Sequence, residues 1–477
     1  MQVQSMHFKQ RSGQKLADVR LQKNLKKLAD KFVTARSAAI AELDDFEATR
    51  DAAVERRNRV LATLDVWLQT FERNATARGA AVLYAQTHEE ATRLIVEIAT
   101  LHGVHKVTKS KSMVSEEIGL NHAFEATGIT PVETDLGEYI LQINDNEAPS
   151  HIIAPVIHKD KEEISDLFAR AHALPRKTEI TQLTREAREV LRSHFLSADM
   201  GVTGANFLIA ETGSAAVVTN EGNEGMCTIM PPKVHVVLTG IEKLLPTLED
   251  LATLMRLLPR SATGQQISNY LSLLTGPRRA GEVDGPEHMY YVLLDAGRSA
   301  LIGGEFQEML RCIRCGACMN HCPVYQKVGG HAYGWVYPGP MGSVLTPNYV
   351  GIENALDLPQ AATFCNQCSV VCPVKIPLPD LMRKLREQQW QRGLRPWSER
   401  LGMTAWAFVA KRPALYALAT QAAVRVLGWM GGGDRRIRSL RIGGGWTIGR
   451  DFPAPSGRTF RELYAARGVR RQQATRE

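Results

Sequence analysis

An α/β body on a mostly parallel sheet, preceded by a helical arm and followed by a helical, cysteine-dense segment, is the architecture this 477-residue sequence predicts. Three observations carry it. Between Ala80 and about Ala300, short apolar runs alternate with amphipathic stretches, the pattern of strand–helix units in a parallel sheet. The first 75 residues instead place apolar side chains at helical spacing and fill the other faces with charge. Seven of the eight cysteines fall between positions 312 and 372.

Taken in order, residues 1–75 read as a helical N-terminal arm. Leu21, Leu25, Leu28 and Phe32 recur at helical spacing, as do Val60, Leu64, Trp67 (or Leu68) and Phe71. Over 76–300, AAVLYA precedes the helix-like HEEATRLIVEIATLHG, and VHKVT precedes SMVSEEIGLNHAF. HIIAP precedes KEEISDLFARAH, and VHVVLTG precedes a helix around LEDLATLMRLL. NFLIA and AAVVT, separated by ETGS, predict a hairpin inserted into this layer. Residues 301–390 form the cysteine segment, and 391–477 a tail with Pro, Gly and Arg clusters, including GGG at 431–433 and 443–445.

Apolar content of 44% and charge of 23% are ordinary for a globular chain. The net charge of +8 is unevenly placed: the tail holds 17 Lys and Arg against 5 Asp and Glu, or +12, so the remainder carries −4. That argues against a nucleic-acid-binding body. The tail is either a solvated face or a contact for a partner or an anionic membrane surface. Its apolar stretch WAFVAKRPALYALATQAAVRVLGWMG, interrupted by Lys411, Arg412, Pro413 and Arg425, reads as packed helices. The first twenty residues lack an apolar h-region, and no run of 18 apolar residues is free of charge. A reducing, cytoplasmic setting is expected, which makes a disulfide framework the wrong reading of the cysteines.

Their spacing identifies the chemistry. CIRCGACMNHCP places Cys312, Cys315, Cys318 and Cys322 as C-x2-C-x2-C-x3-C-P. FCNQCSVVCP repeats it with Cys365, Cys368 and Cys372, Ala362 standing in the first slot. In two-cluster ferredoxins the fourth cysteine of each run ligates the other cluster. Cys312, Cys315, Cys318 and Cys372 would then hold one iron–sulfur cluster, and Cys322, Cys365 and Cys368 a second with three protein thiolates. Zinc sites usually pair two C-x2-C knuckles and match this spacing poorly. His321 and His331 are nearby nitrogen candidates for the remaining iron, whose cluster is [4Fe–4S] or [3Fe–4S]. Clusters with exchanged ligands lie close together, so the segment reads as an electron relay. The Gly-, Pro- and aromatic-rich 328–348 stretch between the runs is either a shield against water or a docking surface. Cys227, alone among apolar residues, reads as a core residue.

Two stretches of the α/β part are candidate ligand sites. Lys109, Lys111 and Ser112 fall between a strand and a helix N-terminus, where anions are favoured, although Ser112 can equally cap that helix. Glu211, Asn220 and Glu221 sit at turns beside strands, where they line a site or close a hairpin. There is no P-loop and no G-x-G-x-x-G, so neither nucleoside triphosphate nor ordinary NAD binding is supported.

Together these motifs resemble the lactate utilisation protein B family. The likeness is carried by KSKSMVSEEIGLN (109–121), ETDLGEYILQ (133–142), ETGS…TNEGN (211–223), CIRCGACMNHCPVY (312–325), GGHAYGWVYPGP (329–340) and CPVKIPL (372–378), and it runs from FKQR to FREL. It implies that the α/β part is an LUD domain with a NagB/RpiA/CoA-transferase-like fold, followed by a ferredoxin-like two-cluster domain. It also implies an electron transporter in oxidation of L-lactate to pyruvate, partnered by a cysteine-rich subunit and a smaller LUD protein. The same cysteine assignment follows from it, and it identifies no lactate-handling residue. Two other readings remain open: a subunit serving another 2-hydroxy acid or a heterodisulfide- or quinone-linked oxidoreductase, and a non-redox LUD-type ligand-binding module with structural clusters.

Overall fold

The computed structural model describes residues 3–440, 446, 447 and 450–474. The chain divides into two compact units, residues 1–389 and 390–477.

The first unit contains strands β1 (Ala81–Ala85), β2 (Lys106–Lys109), β3 (Thr130–Glu133), β4 (Met200–Thr203), β5 (Phe207–Ile209), β6 (Ser214–Thr219), β7 (Val234–Gly240), β8 (Leu244–Leu245), β9 (Tyr270–Leu274) and β10 (His288–Leu294). Six of them form a wholly parallel sheet in the order β1-β10-β7-β4-β2-β3. The expected hairpin forms as antiparallel β5 and β6, in a second sheet of order β8-β5-β6-β9. β4 and β7 are buried along their whole length, as strands covered on both faces are.

One face of the parallel sheet meets Ile95, Ile98 and Phe124 from helices His88–Leu101 and Leu120–Ala126. The other meets Val60, Leu64 and Phe71 from helices Phe46–Ala62 and Leu64–Ala77. Residues 8–77 are almost wholly helical, and Leu21, Leu25, Leu28, Val60, Leu64 and Phe71 are buried. Local signals set the helix starts. Thr87 caps Glu90, and capping boxes open Lys161–His172 (Asp160 with Glu163) and Leu248–Ala262 (Thr247 with Asp250).

HIIAP departs from expectation and forms no strand. His151 Nδ1 accepts the N–H groups of Ile153 (3.0 Å) and Ala154 (3.1 Å), and Ser150 N donates to Pro155 O (3.0 Å), folding the segment into a closed loop. SMVSEEIGLNHAF is divided into two helices by Gly119, whose φ of 67° no ordinary helical residue adopts. In β4, Gly201 is required by close packing: a Cβ there would lie 1.8 Å from the carbonyl oxygen of Cys227.

The chain leaves β2 for the edge strand β3, then returns through β4, β7 and β10 in the opposite direction. The carboxyl ends of β2 and β4 therefore flank a topological switch point, the usual ligand crevice of an open α/β sheet.

In the second unit, helices Trp397–Ala410 and Pro413–Met430 bury none of their residues. Trp397 is 77% and Trp429 83% exposed, with Trp406 and Leu418 also in the open. The expected packed helices thus leave an apolar surface uncovered. Among the described residues no helix is long and apolar enough to cross a membrane. The glycines at 443–445 lie outside the described residues.

Candidate iron–sulfur centre and adjoining cavity

The two cysteine runs share one backbone. Arg314 (φ 58°) and Gly316 (φ 74°) flank Cys315; Phe364 (φ 54°) and Asn366 (φ 65°) flank Cys365 at matching positions. Each run continues into a four-residue helix, Ala317–Asn320 or Gln367–Val370, and then reaches Cys-Pro. Left-handed residues on either side of the middle cysteine wrap the loop so that its thiols converge. Ala362 occupies the place that Cys312 holds in the first run.

Cys322, Cys365 and Cys368 line one cavity, and Cys312, Cys315, Cys318 and Cys372 lie close enough to influence one another, with Cys318 also sensing Cys368. Burial pushes Cys315 up to about 12, with further upward effects from Cys372 and Cys312. Burial likewise raises Cys318, which also feels Cys312, Cys315 and Cys372. In the other set, burial and then Cys322 and Cys365 push Cys368 up to about 12. Cys365 differs: it is exposed, and a hydrogen bond from the Gln367 N–H holds its thiol below the usual value. Backbone N–H groups point at sulfur in both sets, Tyr325 N at Cys322 Sγ (3.5 Å) and Ile376 N at Cys372 Sγ (3.4 Å). Seven soft sulfur donors with N–H groups aimed at them suit thiolate-ligated iron, whose binding displaces the thiol protons.

Neither histidine candidate lines the cavity bounded by Cys322, Cys365 and Cys368. His321 Nδ1 bonds Ala317 O (2.9 Å), while His331 Nε2 donates to Ala148 O (2.7 Å) beside His158. The 328–348 stretch is almost entirely buried, which excludes the docking-surface reading and leaves shielding. Cys227 is a core residue, fully buried, its Sγ 3.3 Å from Thr134 Oγ1.

Three arginines from the N-terminal helices reach the cysteine segment. Arg36 donates to Val371 O (2.8 Å). Arg50 donates to Cys372 O (2.6 and 3.2 Å) and Val370 O (3.1 Å). Arg57, 1% exposed, donates to Leu310 O (2.8 Å), Leu244 O (2.9 Å) and Glu242 O. Sequence reasoning passed over them, although a signal was present. Phe46, Arg50, Ala53, Arg57, Val60 and Leu64 repeat at core spacing, so two arginines occupy positions the pattern assigns to the interior.

A cavity of about 390 Å³ opens at the switch point, bounded by the loops after β2, β4 and β7 and by the first cysteine run through Arg314. The crevice is tight on one side: a Cβ on Gly204, just past β4, would sit 3.0 Å from Ser112 Oγ. Of the candidate ligand residues, Lys111, Ser112, Asn220 and Glu221 line it. Lys111 is engaged with Asp135 (3.0 Å) and Ile153 O (3.3 Å), and Ser112 caps its helix through Ser115 N (3.3 Å). Lys109 does not reach the cavity; it is buried against Glu133 and Asn121, and Glu133 and Glu116 keep its ammonium charged despite the opposing effect of burial. Glu211 also lies elsewhere, accepting from Leu248 N (3.1 Å) at a helix start.

Behind the cavity a buried charge network joins the sheet to the cysteine segment. Arg298 pairs with Glu117 (2.8 and 3.1 Å) and Glu242 (2.9 Å), and Tyr337 OH donates to Glu117. Arg314 reaches Glu242 at 3.5 Å and stacks 4.7 Å over the Tyr337 ring. Burial raises Glu117, but Arg298, His88 and Tyr337 outweigh it and hold the carboxyl down at about 2. Burial and then Arg314 lower Lys243 to about 7.

Three family models cover this layout in sequence: LUD domain over residues 68–294, 4Fe-4S dicluster domain over 308–376, and Lactate utilisation protein B, C-terminal, over 381–469. Lactate utilization protein B of Geobacillus kaustophilus is 44% identical over 441 residues, 92% of each chain. The chain belongs to the lactate utilisation protein B family. The Lysinibacillus sphaericus member is 43% identical over 97% of each chain. An Escherichia coli relative described as an uncharacterized electron transport protein, YkgF, is 40% identical over 96% of each. A DUF162 family protein from Deinococcus radiodurans has a crystal structure similar to 49% of this chain and 98% of its own, with 14% identity and a TM-score of 0.28. As a member of the lactate utilisation protein B family, the chain combines an LUD domain with a 4Fe-4S dicluster domain in one compact unit.

Proposed function

We propose that the protein is an electron-transfer subunit in the oxidation of L-lactate to pyruvate, working with a cysteine-rich subunit and a small LUD-domain subunit. Relatives named for lactate utilisation and for electron transport support the assignment. The observation that carries it is the pair of adjoining thiol sets, one buried among cations and one reaching the surface at Cys365. Cys312, Cys315, Cys318 and Cys372 would hold one [4Fe–4S] cluster; Cys322, Cys365 and Cys368 would hold the second, with no fourth cysteine because Ala362 stands in that slot. When bound, such clusters supply one-electron redox couples. Around the first set Arg36, Arg50, Arg57 and Arg314 offset the negative charge that thiolate-bound iron brings into a buried place, and so favour its reduced form. At the second set, exposed Cys365 gives a partner protein short-range access.

The working division is a helical arm (1–75), an LUD domain of NagB/RpiA/CoA-transferase type (76–300), a two-cluster domain (301–390) and a basic tail (391–477). The location is cytoplasmic. The tail's net +12 and its exposed Trp397, Trp406 and Trp429 favour peripheral contact with an anionic membrane. Anaerobic reconstitution with the partner subunits, followed by L-lactate, tests the central assignment: cluster reduction seen by EPR is expected, and its absence removes the relay.

A further inference from the structure

Two cations at the switch-point cavity keep donor capacity unfilled, although Glu242 and the Cys312 thiol lie near both. Lys243 lines it, is 6% exposed, and makes no hydrogen bond or ion pair with any described residue. Arg314 lines it as well; its Nη2 reaches Glu242 only at 3.5 Å, and its Nη1 is buried with no partner. Buried charged donors are ordinarily paired, because an unpaired one carries the full cost of desolvation. Glu242 and the Cys312 thiol offset part of the charge of these two without filling their donors. Asp135 is taken by Lys111, and Glu242 is shared with Arg298 at 2.9 Å. Lys111 and Arg298 are fully engaged, whereas Lys243 and the Nη1 of Arg314 retain free donors at the edge of the network. Glu224 also lines the cavity, 2% exposed with Oε2 unpartnered; burial raises its carboxyl, favouring the neutral form, which can donate to a bound carboxylate instead of repelling it.

Arg314 lies between Cys312 and Cys315, so whatever it holds is next to the first thiol set. The cavity's other wall is the crevice where α/β sheets commonly bind small molecules. At about 390 Å³ it exceeds what a three-carbon acid needs and leaves room for a longer side chain.

We propose that this cavity is a carboxylate site in which Lys243 and Arg314 grip the carboxylate of a 2-hydroxy or 2-oxo acid beside the first cysteine set. The choice of acid class rests on the relay function proposed above; the case for an anion rests on the free donors of Lys243 and Arg314. Lys243 is the freer of the two donors, and Arg314 supplies a planar fork suited to carboxylate. The bound acid would press a negative charge toward the first set and make its iron harder to reduce.

The test uses the full chain with its clusters reconstituted anaerobically. Calorimetry measures binding of pyruvate, L-lactate and 2-hydroxy-4-methylpentanoate, with methylammonium as a cationic control. An EPR-monitored redox titration is run with and without each acid. Binding of at least one acid and a downward shift of one midpoint potential are expected, with no binding of the control. Lys243→Met should weaken binding by about ten- to a hundredfold while iron content stays unchanged. Lys243→Arg should retain most of the affinity, separating loss of charge from loss of fold. The site is refuted if no acid binds, or if Lys243→Met binds as tightly as the native chain. The two proposals fail separately. Lactate-driven cluster reduction in the full complex with no acid bound by this chain overturns the site and keeps the relay. Acid binding without such reduction keeps the site and overturns the relay.

Discussion

Replacing Arg50 by Met should release the first cysteine set while leaving the rest of the fold standing. Arg50 is 7% exposed and donates three hydrogen bonds to the carbonyls of Val370 and Cys372. A hydrogen bond from a charged donor contributes about 1.5–3 kcal/mol, and a buried carbonyl left bare costs about 1–3 kcal/mol. Cys372 O keeps a second donor, Lys375 N at 3.1 Å, so its loss is partial. Methionine also keeps the apolar stem that lies against Phe46, where the guanidinium carbon sits 5.7 Å from the ring centre. The net cost is about 2–4 kcal/mol, concentrated on the turn that carries Cys372. Because 1.36 kcal/mol is a factor of ten, that turn should open about 30- to 1000-fold more often. Transfer of iron from the reconstituted protein to a chelator, followed by absorbance, reads this directly. Lys375→Met is the internal comparison. Among the described residues Lys375 pairs with Glu47 and Asp51, side chains 66% and 67% exposed, and pairs of that kind contribute about 0–1 kcal/mol. It should accelerate iron loss by less than about fivefold. If Arg50→Met also stays within fivefold of the native protein, the buried arginine does not hold the turn, and the reasoning fails.

The exchanged ligand assignment makes a crossed prediction: Cys322→Ala should expose Cys365 to alkylation in reconstituted protein, whereas Cys372→Ala should leave it protected. The opposite pattern would mean each run serves its own cluster. Ala362→Cys should supply a fourth thiolate to the second set and slow its iron loss relative to the native chain; unchanged kinetics would show that position 362 does not face the iron. Burial lowers His235 to about 3 and His151 to about 4. Between those values and about 6.5 the unfolded chain binds more protons, so stability rises with pH there and is lost as pH falls through that window. Urea unfolding at pH 5 and pH 7.5 should show this, and His235→Gln should flatten the slope. Full-length protein should sediment with anionic vesicles more than with zwitterionic ones, and Trp406→Glu with Trp429→Glu should reduce that; equal sedimentation would leave the tail without a membrane role.

The 4Fe-4S dicluster character of the cysteine segment was legible because it is local: spacing places three thiols on one short loop, and a partial second copy follows within about fifty residues. Parallel-sheet alternation was legible in AAVLYA, VHKVT and VHVVLTG, though the equally apolar HMYYVLL of β10 was passed over. It was lost in TPVE and MGVT, short strands whose proline and glycine disguise them and whose pairing partners are distant in sequence. HIIAP misled because its apolar residues serve a loop fixed by His151, not a ladder. The cavity was half legible. Lys111, Ser112, Asn220 and Glu221 stand beside turns that motif reading can find, but Lys243 and Arg314 gain their meaning only when β7 and the first cysteine run come together. No local pattern encodes that meeting.

The contact between Arg36 and the carbonyl of Val371 spans 335 residues. At about 5–20 residues per second, a ribosome takes roughly 20–75 s to produce the second partner after starting the chain. Cys312, Cys315 and Cys318 emerge well before Cys372, and the arm that steadies the later turn has by then long been waiting. With Cys372 completing the first set as proposed, iron loading would be a late event in the life of the chain, and a nascent protein stalled before residue 372 would carry thiols with nothing to close over them.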